Sequence, residues 1–124
     1  MVTTSCHCGA VRCELAAPPE TLTQCNCSIC RRIGGLWAYY RPEQVKLVSE
    51  PGATLAYVWG ERFLELHTCR ACGCTTHWEP VEKEGATKMG INARMMEPAV
   101  IAGLRVRHID GADTWEELGW SVHG

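Results

Sequence analysis

Leu64-Glu65-Leu66-His67-Thr68-Cys69-Arg70-Ala71-Cys72-Gly73-Cys74-Thr75-Thr76-His77-Trp78-Glu79 is the stretch on which the reading of this chain turns. Two β-rich runs, Arg62–Thr68 and Cys74–Glu79, flank a Cys-x-x-Cys-Gly knuckle. Two thiolates two residues apart can grip one metal ion while the N–H groups of the turn point at the sulfurs. Gly73, just after the second cysteine, permits the positive φ that such a turn needs. One knuckle supplies two ligands, and a closed structural zinc takes four. The strand–knuckle–strand unit must therefore find two more ligands elsewhere.

Outward from it, the chain is punctuated by Gly and Pro into short β-rich segments. Ala10–Leu15 alternates, with Val11, Cys13 and Leu15 on one side. Leu36–Arg41, Val45–Ser49, Thr54–Trp59, Lys88–Asn92 and Leu104–Ile109 read as further strands, and Trp59-Gly60-Glu61 as a turn. Only Ser28–Ile33 and Asn92–Glu97 look helical, each a turn or two long. The expectation is a mostly β, mostly antiparallel domain, or α+β if either helix is longer. With 124 residues and no linker or repeat, residues 1–124 form one domain with a modest core. A net charge of −2 leaves no single-sign field for nucleic acid or an anionic membrane. No apolar run approaches the length of about 18 residues that a spanning helix needs.

Nine cysteines are the outlier. Met1–Leu15 has no charged n-region followed by an apolar h-region, so the expected compartment is reducing and cytoplasmic. An odd count cannot pair fully, which points to metal or redox chemistry. Cys6-His7-Cys8-Gly9 fits as the missing half of the knuckle. A C-x-C pair is poorly placed to bridge itself, and a Gly again follows. Cys6, Cys8, Cys69 and Cys72 would then hold one closed zinc and tie distant strands together, the alternative being buried free thiols.

Cys25-Asn26-Cys27-Ser28-Ile29-Cys30-Arg31-Arg32 differs, because no fourth Cys or His follows at once. Cys25, Cys27 and Cys30 with one position open is the pattern of a catalytic zinc. The alternatives are a site closed by Cys13, Cys74 or a histidine, or an iron–sulfur cluster. Two zinc ions per chain are expected, the three-ligand one held more weakly. Seven thiolates on two ions leave excess negative charge at the metals. Arg31, Arg32 and Arg70, each beside a cysteine, can offset it or hold anionic ligands, though solvated surface arginines are the plainer reading for two of them. Cys13 reads as core, His67 and His77 as structural histidines, and His7 as exposed. Trp37, Tyr39 and Tyr40 either line a pocket by the second metal or pack in the core. Arg94 either forms a salt bridge or binds a carboxylate. No nucleophilic triad, phosphate loop or dinucleotide fingerprint is present.

Cys6-His7-Cys8-Gly9-Ala10-Val11, then C-x-C-S-x-C-R-R-x-G from Cys25, then H-x-C-x-x-C-G from His67, resembles the glutathione-dependent formaldehyde-activating enzyme family, in the superfamily of the centromere protein V proteins. Ile91–Glu97 and Arg107-His108-Ile109-Asp110-Gly111 followed by Trp115 are similar to its bacterial members. One departure is Cys74, where the family commonly has Thr or Ser. The resemblance implies a β-tent fold of twisted antiparallel sheets. It also implies a structural zinc on Cys6, Cys8, Cys69 and Cys72, and a second zinc on Cys25, Cys27 and Cys30. Its substrates would be glutathione and formaldehyde, joined as S-hydroxymethylglutathione by a carbon–sulfur lyase-type enzyme. Arg31 and Arg32 become candidate partners for the glutathione carboxylates. An open zinc can hold a thiol as thiolate well below its free pKa of about 8.5, or polarise an aldehyde oxygen. Because the uncatalysed addition is easy, a scavenging or carrier role is a variant of this expectation. The rival is a non-catalytic, zinc-stabilised binding module, although no basic tail favours a chromatin or microtubule role. A third reading is redox sensing by the middle cysteines.

Overall fold

The computed structural model describes residues 2–124. In chain order the elements are β1 (Val2–Ser5), β2 (Arg12–Leu15), β3 (Thr21–Cys25), α1 (Cys30–Ile33), β4 (Trp37–Tyr40), β5 (Val45–Val48), β6 (Thr54–Val58), β7 (Leu64–Cys69), β8 (Thr75–Pro80), β9 (Met89–Asn92), α2 (Pro98–Ile101), β10 (Arg105–Ile109) and β11 (Glu117–Val122). Single 3-10 turns lie at Pro42–Gln44 and Ala93–Met95. The fold is thus mostly β, with two sheets and only short helices. A three-stranded sheet runs β1-β2-β5, and an eight-stranded sheet runs β11-β10-β3-β4-β9-β8-β7-β6. Every described pairing is antiparallel except β3 with β10, where Thr21 lies opposite Arg105. No helix among the described residues is long and apolar enough to cross a membrane.

Each run read from the sequence as a strand contains one. Three strands were not legible there. In β3, Leu22 and Thr23 are both buried, so this interior strand shows no alternation. β1 is a short Thr-rich run, and β11 is a largely exposed edge strand broken by Gly119. The expected helix over Asn92–Glu97 does not form. Asn92 caps a single 3-10 turn instead, accepting the Arg94 N–H at 3.2 Å, and Met96 is extended. The helix starts beyond it at Pro98, where a missing N–H costs nothing. The other helical segment, Ser28–Ile33, shortens to α1 and stops at Gly34, which takes φ +66°.

Pairing fixes what each face of the large sheet carries. Ala38, Ile91 and His77 lie abreast on the inner face. There Ala38 and Ile91 meet Cys13 and Leu15 of the small sheet in the main core, joined by Leu22, Leu36 and Val106. Burying each of the fully enclosed leucines and Ile91 contributes roughly 1.5–3 kcal/mol. Along the outer face run Tyr39, Gly90, Trp78, Leu66 and Tyr57. Gly90 is bare because the Trp78 indole occupies the space its side chain would fill. Tyr39 meets Trp78 edge to face at 6.1 Å. This aromatic face is not covered by the small sheet, and the candidate site is built on it.

Candidate functional site

Two hairpin turns, one from each sheet, meet at the first cysteine cluster. Cys6 and Cys8 sit in the β1–β2 turn, closed by the Cys6 N–H to the Val11 carbonyl at 3.0 Å. Cys69 ends β7, and Cys72 lies in the following turn, where the Gly73 N–H reaches the Cys69 carbonyl at 2.9 Å. Gly9 and Gly73 take φ of +84° and +80°, as both turns require. The four sulfurs lie within 4.8 Å of one another. Cys8 is 3.7 Å from both Cys6 and Cys69. The Val11 N–H donates to the Cys6 sulfur at 3.3 Å. N–H groups of Cys74 and then Cys8 draw the Cys72 thiol down to about 5. Four sulfurs this close together, with backbone donors favouring the ionised form of Cys6 and Cys72, fit a tetrahedral zinc. Although the His7 backbone favours its thiolate, Cys74 is held above its ordinary value by burial and by Cys72.

The second cluster lies where β3 runs into α1. The sulfurs of Cys25, Cys27 and Cys30 also lie within 4.8 Å of one another. The Cys30 N–H points at the Cys27 sulfur at 3.4 Å. Contact with Cys30, opposed by burial and aided by N–H groups of Cys27 and Gly111, draws Cys25 down to about 6. The same contact, with burial, pushes Cys30 up, while the Trp37 indole N–H works the other way. That indole nitrogen is buried with no hydrogen-bond partner among the protein's own atoms. Gly111 packs directly on Cys25, and any side chain there would strike the sulfur. Three soft donors, one of them a ready thiolate, suit zinc, and no other cysteine joins this cluster.

Asn26, between two of these cysteines, clamps the loop that carries Gly111. Its amide donates to Asp110 at 3.0 Å, and its carbonyl accepts the Ala112 N–H at 2.9 Å. Hydrogen bonds from Asn26 and then Thr114 hold the Asp110 carboxyl below its usual range. The Trp115 N–H closes the loop on the Asp110 carbonyl at 2.7 Å.

A cavity of about 900 Å³ opens beside the three cysteines. Its walls include Trp37, Tyr39, Trp78, Phe63 and Trp115, with Arg31, Glu61, Arg62 and Lys88 as charged members. Burial pushes the Tyr39 phenol up to about 12 and draws Lys88 below its ordinary value. The Lys88 ammonium sits 3.8 Å from the Tyr39 ring centre.

The profile described as glutathione-dependent formaldehyde-activating enzyme matches residues 1–105. This chain belongs to the glutathione-dependent formaldehyde-activating enzyme family. A Halomonas elongata protein, provisionally named as such an enzyme, is 50% identical over 36 residues. That match covers 28% of this chain and 23% of the relative, so the chain spans under a quarter of that protein's length. A crystal structure of a Rhodobacter sphaeroides protein is similar at a TM-score of 0.65 and 31% identity, covering 77% of this chain and 87% of that one. The matched family segment ends before Asp110, Gly111 and Trp115.

The structure sorts the remaining residues singled out above. Arg31 lines the cavity of this family member. Arg32 does not, turning instead to the Ser28 carbonyl at 2.7 Å. Arg70 is exposed and donates to the Thr54 carbonyl at 3.2 Å. Trp37 and Tyr39 face the cavity, while Tyr40 points into the core and donates to the Ala17 carbonyl. Cys13 is fully buried in the core and His7 is exposed. Arg94 forms no salt bridge among the described residues. It donates to the Gly34 carbonyl at 2.7 Å and props the turn after α1. His67 and His77 stack with ring centres 4.5 Å apart and nearly parallel. His67 contacts Glu79 at 3.0 Å and Glu65 at 3.3 Å. One ligand atom each from His67, His77 and Glu79 lies within 4.8 Å of the others, and the buried His77 Nε2 has no hydrogen-bond partner among the described residues. Sequence reasoning missed Asn26 as a clamp, Lys88, and the placement of Gly111. Asn26 carries a faint signal in standing between two cysteines, but its partner is 84 residues away.

Proposed function

We propose that this chain is a zinc enzyme that makes and breaks the carbon–sulfur bond of a thiol–aldehyde adduct, with glutathione as the thiol. One observation carries the reading. Cys25, Cys27 and Cys30 form a three-sulfur cluster at the wall of a cavity, while Cys6, Cys8, Cys69 and Cys72 form a four-sulfur cluster away from it. A zinc on the three-sulfur set supplies an open position that favours a bound thiolate or polarises a carbonyl. In the forward direction the thiol sulfur joins the aldehyde carbon, and the thiol proton ends on the former carbonyl oxygen. The reverse breaks the same bond and returns the proton to sulfur.

The chain's own groups do the positioning. Arg31 faces the cavity and pairs with a carboxylate of the tripeptide, a role Arg32 is placed too far aside to share. Gly111 and the Asn26 clamp seat Cys25. Thiolate sites of this kind, with no disulfide among the nine cysteines, require a reducing compartment such as the cytoplasm.

The test begins with metal content, where more than one zinc per chain is expected. With cobalt in place of zinc, adding glutathione should change the near-ultraviolet charge-transfer bands. Cys27→Ser should keep the native circular dichroism and lose both that response and any acceleration of adduct formation. If wild-type protein with two metals leaves the addition of glutathione to formaldehyde and to larger aldehydes alike at its spontaneous rate, the catalytic reading fails and a binding module replaces it.

A further inference from the structure

We infer that the adduct taken by this site carries an aromatic or bulky apolar group on its carbonyl-derived carbon, rather than the single carbon contributed by formaldehyde. The inference rests on the thiol–adduct reading and names the substrate class of the same site. Four of the chain's five tryptophans, together with Phe63 and Tyr39, line the cavity. A hydroxymethyl group is one carbon with a hydroxyl, and glutathione is polar along its length. Neither would cover such a wall. Arg31, Glu61, Arg62 and Lys88 on the same lining can meet the charges of the tripeptide, and the aromatic part of the wall is left for an apolar group.

Position sharpens the argument. A methyl placed on Gly111 would strike Cys25 and lie 3.3 Å from the Trp115 ring. The aromatic surface therefore begins beside the sulfur donors, where the carbon bonded to the substrate sulfur must lie. Trp115 is 68% exposed and Phe63 70% exposed, although both border a cavity large enough to be filled. Large aromatics left open at a cavity mouth mark a surface that a ligand covers. Their backbones are held as well. Arg62 and Trp115 are the two non-glycine residues with positive φ among those described, at +64° and +62°. One precedes Phe63, and the other carries its own indole. Strained conformations persist where the surroundings fix them, and they cluster at ligand clamps. Asn26 fixes the Trp115 loop to the cysteine segment itself.

The bond chemistry is unchanged. The thiol sulfur adds to an aromatic or bulky aldehyde, the thiol proton passes to the oxygen, and no oxidant or reductant takes part. Two unreactive thioethers of glutathione, S-benzyl and S-methyl, provide the test on the zinc-loaded protein by titration calorimetry. S-benzylglutathione should bind about tenfold or more tightly than S-methylglutathione, the scale of added apolar contacts in a pocket. Trp115→Ala should bring the two affinities together, and so should Phe63→Ala, an exposed position where loss of the ring leaves the fold intact. Equal affinities in the wild type, or a preference unmoved by Phe63→Ala, overturn the inference. Binding of neither thioether overturns it, while the glutathione reading is judged separately by the response of the cobalt protein to free glutathione. A benzyl preference in a protein that accelerates no adduct formation supports the pocket assignment and defeats the catalytic one.

Discussion

Gly111 shows how one missing side chain fixes a site. Cys25 occupies the space that its Cβ would fill. Gly111→Ala must therefore push the sulfur away from Cys27 and Cys30, and second-cluster metal affinity should fall about tenfold or more, as for other groups that seat a ligand. Competition with a chromophoric chelator measures this, and unchanged second-metal affinity would contradict the placement. Cys72 belongs to the cluster that joins the sheets. Structural zinc sites contribute roughly 10–16 kcal/mol of apparent binding energy in small peptides, more than most domains have in total. Cys72→Ser should accordingly give insoluble or non-cooperatively unfolding protein. A soluble variant with the wild-type thermal midpoint would remove zinc from the fold.

At the scale of elements, the β7–β8 ladder, flanked by β6 and β9, carries a stacked histidine pair in which His77 is buried and His67 half-buried. Burial, and then the neighbouring His67, draw His77 down to about 4. Unfolded, His77 takes its proton near pH 6.5, as a free histidine does. Between those values the unfolded chain binds the extra proton, so stability falls as pH falls, by up to about 3 kcal/mol. Burial alone would lower His67, but Glu79 and Glu65 carry it above its ordinary value. Its contribution has the opposite sign, present at low pH and lost as pH rises. His77→Gln should remove only the first effect. Urea titrations at steps from pH 7 to pH 4 should then show the wild type losing more stability than the variant, and parallel losses would refute the assignment. The same scale explains what the sequence hid. A strand with one covered face, such as β2, alternates visibly. β3 is buried on both sides at Leu22 and Thr23, so its pattern carries no period.

Over the whole molecule, the four-cysteine cluster joins the β1–β2 turn of the small sheet to the β7–β8 turn of the large one. The core shared by the sheets lies elsewhere, around Ile91 and Leu15. The two metal sites should therefore part company on chelation. Mild chelator should strip the three-cysteine site while circular dichroism stays native, because α1 and β3 keep their packing without it. Stronger chelation, acting on the other cluster, should unfold the chain. Release of both metals in one step, with loss of fold, would show that the second site is closed.

The cysteine spacings, with a glycine after each outer pair, were enough to sort seven cysteines into the two groups whose sulfurs lie together and could each hold a metal, because ligand spacing within a turn is a local property. The mostly β character was local too, written in short runs of Val, Leu, Tyr and Trp between Gly and Pro. Neither the parallel pairing of β3 with β10 nor the clamp from Asn26 to Asp110 is local. Those partners lie far apart along the chain and meet only through the order of strands in the large sheet. Which arginine reaches the cavity was likewise decided by tertiary structure. Arg31 and Arg32 are neighbours of the same type, and one residue of rotation on α1 sends the first to the cavity and the second back to Ser28.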